Sequence, residues 1–100
     1  MAVILVTAPL AAEEIDALTG RELRSVVETL EFLCENPLGA PTANLRAIPE
    51  ARRAVAGNYL IYYTYTEETE WLEILVVRHA RRKPLKAKDL EARRHPESEA

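Results

Sequence analysis

Between Arg53 and His79 the apolar residues recur with a period of two, and that rhythm confines the second half of the chain to extended structure. It is interrupted twice, at Gly57-Asn58 and at residues 66–70. Residues 59–65 are dense in strand formers, with Tyr59, Ile61, Tyr63 and Tyr65 on one face and Leu60, Tyr62 and Thr64 on the other. Residues 71–79 follow, with Leu72, Ile74 and Val76 expected on one face and Trp71, Leu75 and Val77 on the other. Both interruptions are turn signals, so residues 53–56, 59–65 and 71–79 form a three-stranded antiparallel meander.

The first half has a different period. Ala2-Val3-Ile4-Leu5-Val6 is a short apolar run rich in β-branched residues, expected to be a strand buried on both faces. Thr7-Ala8-Pro9 reads as the start of a helix, with a polar cap and a proline tolerated in the first turn. That helix carries Ala11, Ile15 and Leu18 on one face, and Glu13, Glu14 and Asp16 near its start suit the positive end of its dipole. Thr19-Gly20-Arg21-Glu22 has the form of a capping box, directly before a helical run of Leu23, Val26, Val27, Leu30, Leu33 and Cys34. Asn36-Pro37 and Gly39 end it. Residues 37–49 hold three prolines and read as a connecting loop, with a short extended piece around 44–47. The order is βααβββ. A helical hairpin packed on a mainly antiparallel four-stranded sheet is an α+β fold, with the first strand pairing with the last or middle strand of the meander. One domain over residues 1–84 and a polar extension over 85–100, helical around 87–94, account for the chain.

At 100 residues, 48% of them apolar, the chain is long enough for one modest core without a disulfide or metal. Cys34 is the only cysteine, which excludes a cystine scaffold and every zinc pattern that needs paired cysteines. No metal and no cofactor are expected. No apolar run approaches the roughly 20 residues of a membrane span, and residues 2–6 lack the preceding basic residue of a signal peptide. The expectation is a soluble cytoplasmic protein. Its net charge of −3 hides an asymmetry. Residues 1–50 hold three basic and eight acidic groups, whereas residues 76–94 hold eight basic groups against Asp89 and Glu91. A basic C-terminal segment on an acidic domain points to an anionic partner at one end, or to a solvated face.

The sequence has no nucleophile elbow, no Walker-type phosphate loop and no dinucleotide fingerprint. Carboxylate pairs such as Glu13-Glu14 and Glu67-Glu68 read as solvated groups. What remains is Arg78-His79-Ala80-Arg81-Arg82-Lys83 at the exit of the last strand. Arg52-Arg53 is expected near the same end of the sheet. Guanidinium groups bind phosphates and carboxylates through a planar fork, and His79 is the one group there that exchanges a proton near neutral pH. Two readings stay open: a strand-end histidine bonding a loop carbonyl among solvated arginines, or an RNA-cleaving set in which arginines hold a scissile phosphate. At least two of the four tyrosines read as sheet-packing residues rather than a base-stacking platform, and Cys34 as a small buried hydrophobe.

The stretch Arg53-Ala-Val-Ala-Gly57-Asn-Tyr59-Leu-Ile-Tyr-Tyr63, followed by Glu73-Ile-Leu-Val-Val-Arg-His79-Ala-Arg-Arg82, resembles the RelE/ParE superfamily of type II toxin–antitoxin toxins. The likeness runs over residues 2–84, and it implies the same βααβββ fold. It also implies a toxin that arrests growth and stabilises plasmids, neutralised by a cognate antitoxin, with a homodimer or a hetero-oligomer with that antitoxin as possible assemblies. Within the superfamily, Gly57-Asn-Tyr59 and Val77-Arg-His79 look ParE-like. Leu60 stands where nuclease members often carry an arginine, no tyrosine follows Tyr65, and Val76, Ala80 and Lys83 depart from the motif's usual Arg, Gly and Asp. The ParE-like branch implies DNA gyrase as the target, met by Arg78, His79, Arg81 and Arg82 with Arg53 in support. The RelE-like branch implies a ribosome-dependent mRNA endonuclease in which His79, Arg81, Arg82 and Arg53 are catalytic. A third alternative is an inactive member serving as an interaction module.

Overall fold

The computed structural model describes residues 3–46 and 48–82. The expected extension over 85–100, and with it most of the basic groups beyond Arg82, lies outside the described residues. The elements are β1 (Ile4–Thr7), α1 (Pro9–Asp16), α2 (Gly20–Glu35), β2 (Arg52–Ala56), β3 (Tyr59–Thr66) and β4 (Trp71–His79). They build a four-stranded mixed sheet in the order β1-β4-β3-β2, with the meander antiparallel and β1 parallel to β4. Both helices lie on one face. Among the described residues no helix is long and apolar enough to cross a membrane.

The core between helices and sheet is drawn from the stripes the sequence marks. Ala11 and Leu18 of the first helical hairpin arm, with Val26, Leu30 and Leu33 of α2, pack on Ile61, Tyr63, Leu72, Ile74 and Val77. Leu23 joins them in part, while Val27 is 42% exposed and lies off the stripe. A second cluster forms on the opposite face, where Ile48 and Ala51 cover Tyr62, Leu75 and Val76. The loop after α2 is therefore a lid on the sheet as well as a connection. Its extended piece is not at 44–47 but earlier: Thr42 bridges to Arg52, Arg53 N–H donates to Pro41 O at 3.0 Å, and Ala43 N–H donates to Ala51 O at 2.8 Å. Arg52 bonds the carbonyl of Ala40, and the Tyr63 hydroxyl donates to Pro37 O at 2.8 Å, so two part-buried donors in the sheet hold the loop.

Four expectations are corrected. The first strand is an edge, not a strand buried on both faces: Ile4 is 49% exposed and Leu5 42% exposed, because β4 takes the central place and only one side of β1 is paired. The acids of α1 are not in its first turn but in its second half, since the helix begins at Pro9 with Ala8 as its cap. The helix start at Thr19 is real, yet its side chain makes no capping bond, and Gly20 at φ +57° turns the chain into the helix instead. The alternation of β4 also slips. Tyr62 pairs with Val76 and Tyr63 with Ile74, leaving Leu75 as an extra residue in a β-bulge. Beyond the bulge the faces exchange, so Val77 joins the helix-side core and Val76 the opposite cluster.

Gly57 opens the β2–β3 turn at φ +62°, while Asn58 keeps a negative φ, the arrangement of a type II′ turn. A Cβ there would meet nothing closer than Ser25 Oγ at 3.6 Å, so the cost of a side chain is backbone strain rather than a clash. Gly57→Ala is expected to cost about 1–2 kcal/mol of unfolding free energy, and Gly57→Asn less, because asparagine tolerates the left-handed region. Urea denaturation of the two variants measures the difference.

Candidate functional site

Antiparallel pairing decides what meets what at the basic end. Tyr59 opens β3 and pairs with His79 at the close of β4, while the Ala80 N–H donates to Asn58 O at 2.8 Å across to the β2–β3 turn. The exit turn after β4 is stitched to itself: Arg82 N–H donates to His79 O at 3.1 Å, and Arg81 N–H donates to His79 Nδ1 at the same distance. Arg81 and Arg82 project from this turn into solvent. The tip of the sheet thus joins the exit turn, Gly57-Asn58 and the first turn of α2 with Arg21 and Glu22.

The bulge at Leu75 sorts the candidate residues between two faces. His79 turns to the helix side, where its ring stands edge-on to Tyr59 with centroids 5.3 Å apart and planes at 74°. Arg78 turns to the opposite face, in register with Leu60, with its Nε enclosed by protein. Arg53 is exposed on that same opposite face but farther back, in register with Tyr62. With strands about 4.8 Å apart and about 3.4 Å per residue, Arg53 and Arg78 lie on the order of 12 Å apart. The structure therefore brings Arg78, His79, Arg81 and Arg82 to one end of the sheet. It places Arg53 mid-sheet rather than at that end, because β2 starts opposite Tyr63 and only its close reaches Tyr59. Arg52 is a structural donor to the loop carbonyls, not a site group.

The chemistry available here is charge and hydrogen bonding. His79 Nδ1 already accepts a backbone N–H, so its neutral form carries the proton on Nε2. Tyr59 is raised above the ordinary phenol range by burial first, and then by the nearby Glu22 carboxylate, which favours the protonated phenol and repels its ionised form; Arg82 partly offsets this. No group of three or more potential metal ligands occurs among the described residues. Tyr62 and Tyr63 are buried, as expected for packing residues, and offer no stacking platform. Cys34 is only half-buried, beside Pro37 and Tyr65, and burial with the nearby Glu31 and Glu35 raises its thiol.

Two residues that matter here were read from sequence as ordinary surface or cap groups. Glu14 accepts the Val77 N–H through Oε1 at 3.1 Å. β1 pairs only with residues 71–74 of the nine-residue β4, so the remaining N–H groups on that side need another acceptor, and α1 supplies one. The mismatch in strand lengths was the available signal. Glu22, read as the closing residue of a capping box, instead faces Tyr59.

No protein-family model matches the chain, and no curated protein matches it. Solved structures do. The RelBE2 toxin–antitoxin complex of Mycobacterium tuberculosis contains a chain 25% identical, with a TM-score of 0.69 over 79% of this chain and 99% of that one. A doubly substituted Escherichia coli RelE toxin in the free state is 20% identical, with a TM-score of 0.66 over 93% of this chain and 94% of its own. The archaeal RelE–RelB complex of Pyrococcus horikoshii gives 17% identity and a TM-score of 0.65 over 83% and 100% of the respective chains. The fold is that of the RelE toxins, which supports the RelE/ParE resemblance carried by the hairpin motif.

Two measurements test the local account. Glu14→Ala, which strands the Val77 N–H, is expected to cost about 1–2 kcal/mol in chemical denaturation, while Glu14→Gln keeps an acceptor and costs less than half of that. A spectrophotometric titration of the tyrosines is expected to show the half-buried Tyr59 phenol above the ordinary range, returning toward it in Glu22→Gln. Because the folded value is raised, the stability it contributes is present below pH 10 and is lost as pH climbs through the folded value.

Proposed function

We propose that this chain is the growth-arresting toxin of a type II toxin–antitoxin pair, held inactive in the cytoplasm by a cognate antitoxin protein. The observation that carries the reading is the RelE fold, shared over most of the chain with toxins solved in complex with their antitoxins. Beside it stands a tip of exposed guanidinium groups on an otherwise acidic protein. Such a tip concentrates an anionic surface by electrostatic attraction and then grips it through planar forks.

Arg78, His79, Arg81 and Arg82 are the target contacts in this reading, with Arg53 supporting from the open face. Binding rather than cleavage is favoured by the state of His79. Its Nδ1 is engaged by the main chain, its ring is held against Tyr59, and among the described residues no carboxylate is bonded to it to orient it for proton transfer. The gyrase-directed, ParE-like mode rests on this and on the motif. The likeness to RelE toxins favours the second reading, a ribosome-dependent mRNA endonuclease in which His79, Arg81, Arg82 and Arg53 are catalytic.

Induced expression is expected to stop growth, and reversal of charge at Arg81 and Arg82 (Arg81→Glu with Arg82→Glu) to restore colony formation at least tenfold. Purified protein that inhibits supercoiling and leaves transcripts intact supports the gyrase mode. Cleaved transcripts with normal supercoiling select the endonuclease. Full growth with both intact refutes the toxin reading.

A further inference from the structure

We propose that the outer edge of β1 is a self-pairing surface, on which a second copy of this chain adds its own β1 antiparallel about a two-fold axis at Leu5. The inference holds whichever target the tip engages.

β1 has the composition of an interior strand and the place of an edge. Continuous aliphatic and β-branched runs are typical of strands covered on both faces and flanked on both sides. Here Ile4 is 49% exposed and Leu5 42%, and neighbouring residues of a strand point to opposite faces, so the edge is apolar above and below. Its main chain is open too. The Ile4 N–H donates to Glu70 O and the Ala8 N–H to Ile74 O, both toward β4. By the two-residue period the N–H and C=O groups of Val3, Leu5 and Thr7 point away from β4, and no described residue bonds to them. Edges are blunted by charge, proline, a bulge, a covering segment or shortness, and this one has only the last.

The strand is complementary to itself. With Leu5 opposite Leu5, Val3 of each copy faces Thr7 of the other, and these are the three positions whose main-chain groups point outward. Two hydrogen bonds join the leucines and two more form at each Val3–Thr7 pair. Ile4 falls opposite Val6 of the second copy, so every cross-strand pair is aliphatic or β-branched. The Leu5 side chain shares the helix-bearing face with Leu72, its partner in register. α1 meets β4 farther along, where Glu14 bonds Val77, and leaves this stretch of edge clear.

Charge selects the same partner. In an isologous pair each group near the axis meets its own kind, so only an uncharged patch faces itself without repulsion. Residues 1–12 carry no charged side chain, in a chain that is 29% charged. Because β1 is parallel to β4, the pairing sets the two β4 strands antiparallel. The guanidinium tips then lie at opposite ends of the joined sheet, and neither covers the other.

Sedimentation of the full chain at rising concentration tests this. Five residues a side make a small interface, so the wild-type chain is expected to dimerise weakly, with a Kd on the order of 0.1 mM. Leu5→Lys or Leu5→Glu alone sets like charges at the axis and is expected to weaken the dimer at least tenfold. An equimolar mixture of the two is expected to restore it. Leu5→Pro removes only the outward N–H, spares the β1–β4 ladder and is expected to weaken the dimer as much. In a Cys34→Ser background, Leu5→Cys is expected to oxidise to a disulfide-linked dimer, since directly opposed residues of this kind lie about 5.5 Å apart. A wild-type chain monomeric to millimolar concentration overturns the proposal. So does a folded Leu5→Lys that dimerises at wild-type strength, or a mixture that associates no better than its parts. A monomeric wild type in which a coexpressed antitoxin shields Leu5→Cys from alkylation assigns the edge to that other protein, and equally overturns it.

Discussion

The one-residue bulge at Leu75 governs everything at the functional end. A sheet residue points to one face or the other, and inserting a residue in β4 reverses that choice for all that follow. Without it His79 would share a face with Arg53, where a histidine and arginines on one open surface would look like a phosphate-cleaving site. With it, His79 is delivered to Tyr59 beneath the helices, and Arg78 alone continues on the side of Arg53. Which of these groups share a face is here a matter of register.

The second constraint is the unequal length of neighbouring strands. β4 is nine residues long and central, and its partner β1 covers four of them. Main-chain donors in a sheet interior must be satisfied, so a helix carboxylate is drawn in where the strand gives out. This explains why α1 carries its acids in its second half, against the helix dipole: the Glu14 side chain is stationed over Val77. The same economy appears on the other side, where Arg52 and Tyr63 occupy loop carbonyls that would otherwise face apolar surroundings.

Much of this was legible. The helical stripe of α2 and both turns of the meander followed from spacing alone, and the bounds of β4 fell where the pattern placed them. The bulge did not show, because Ile74-Leu75-Val76-Val77 is apolar throughout and a slip within it leaves no polar residue on the wrong face to betray it. The edge position of β1 was hidden for the same reason: an apolar run reads alike whether one side or both are covered. Arg53 was placed too near the tip because strand order was read without counting the residues that separate the start of β2 from its close. Of the eight basic groups of residues 76–94, Arg78, Arg81 and Arg82 are among the described residues and lie at one end of the β3–β4 hairpin, with Glu67, Glu68 and Glu70 at the other.

The parallel pairing of β1 with β4 has a temporal side. Residues 4–7 leave the ribosome well before their partners at 71–74. β1 has no neighbour in the sheet, and the tip assembled at Tyr59 and His79 cannot form, until β4 has been made. The surface at the tip is therefore complete only once a contact spanning nearly the whole described sequence has closed.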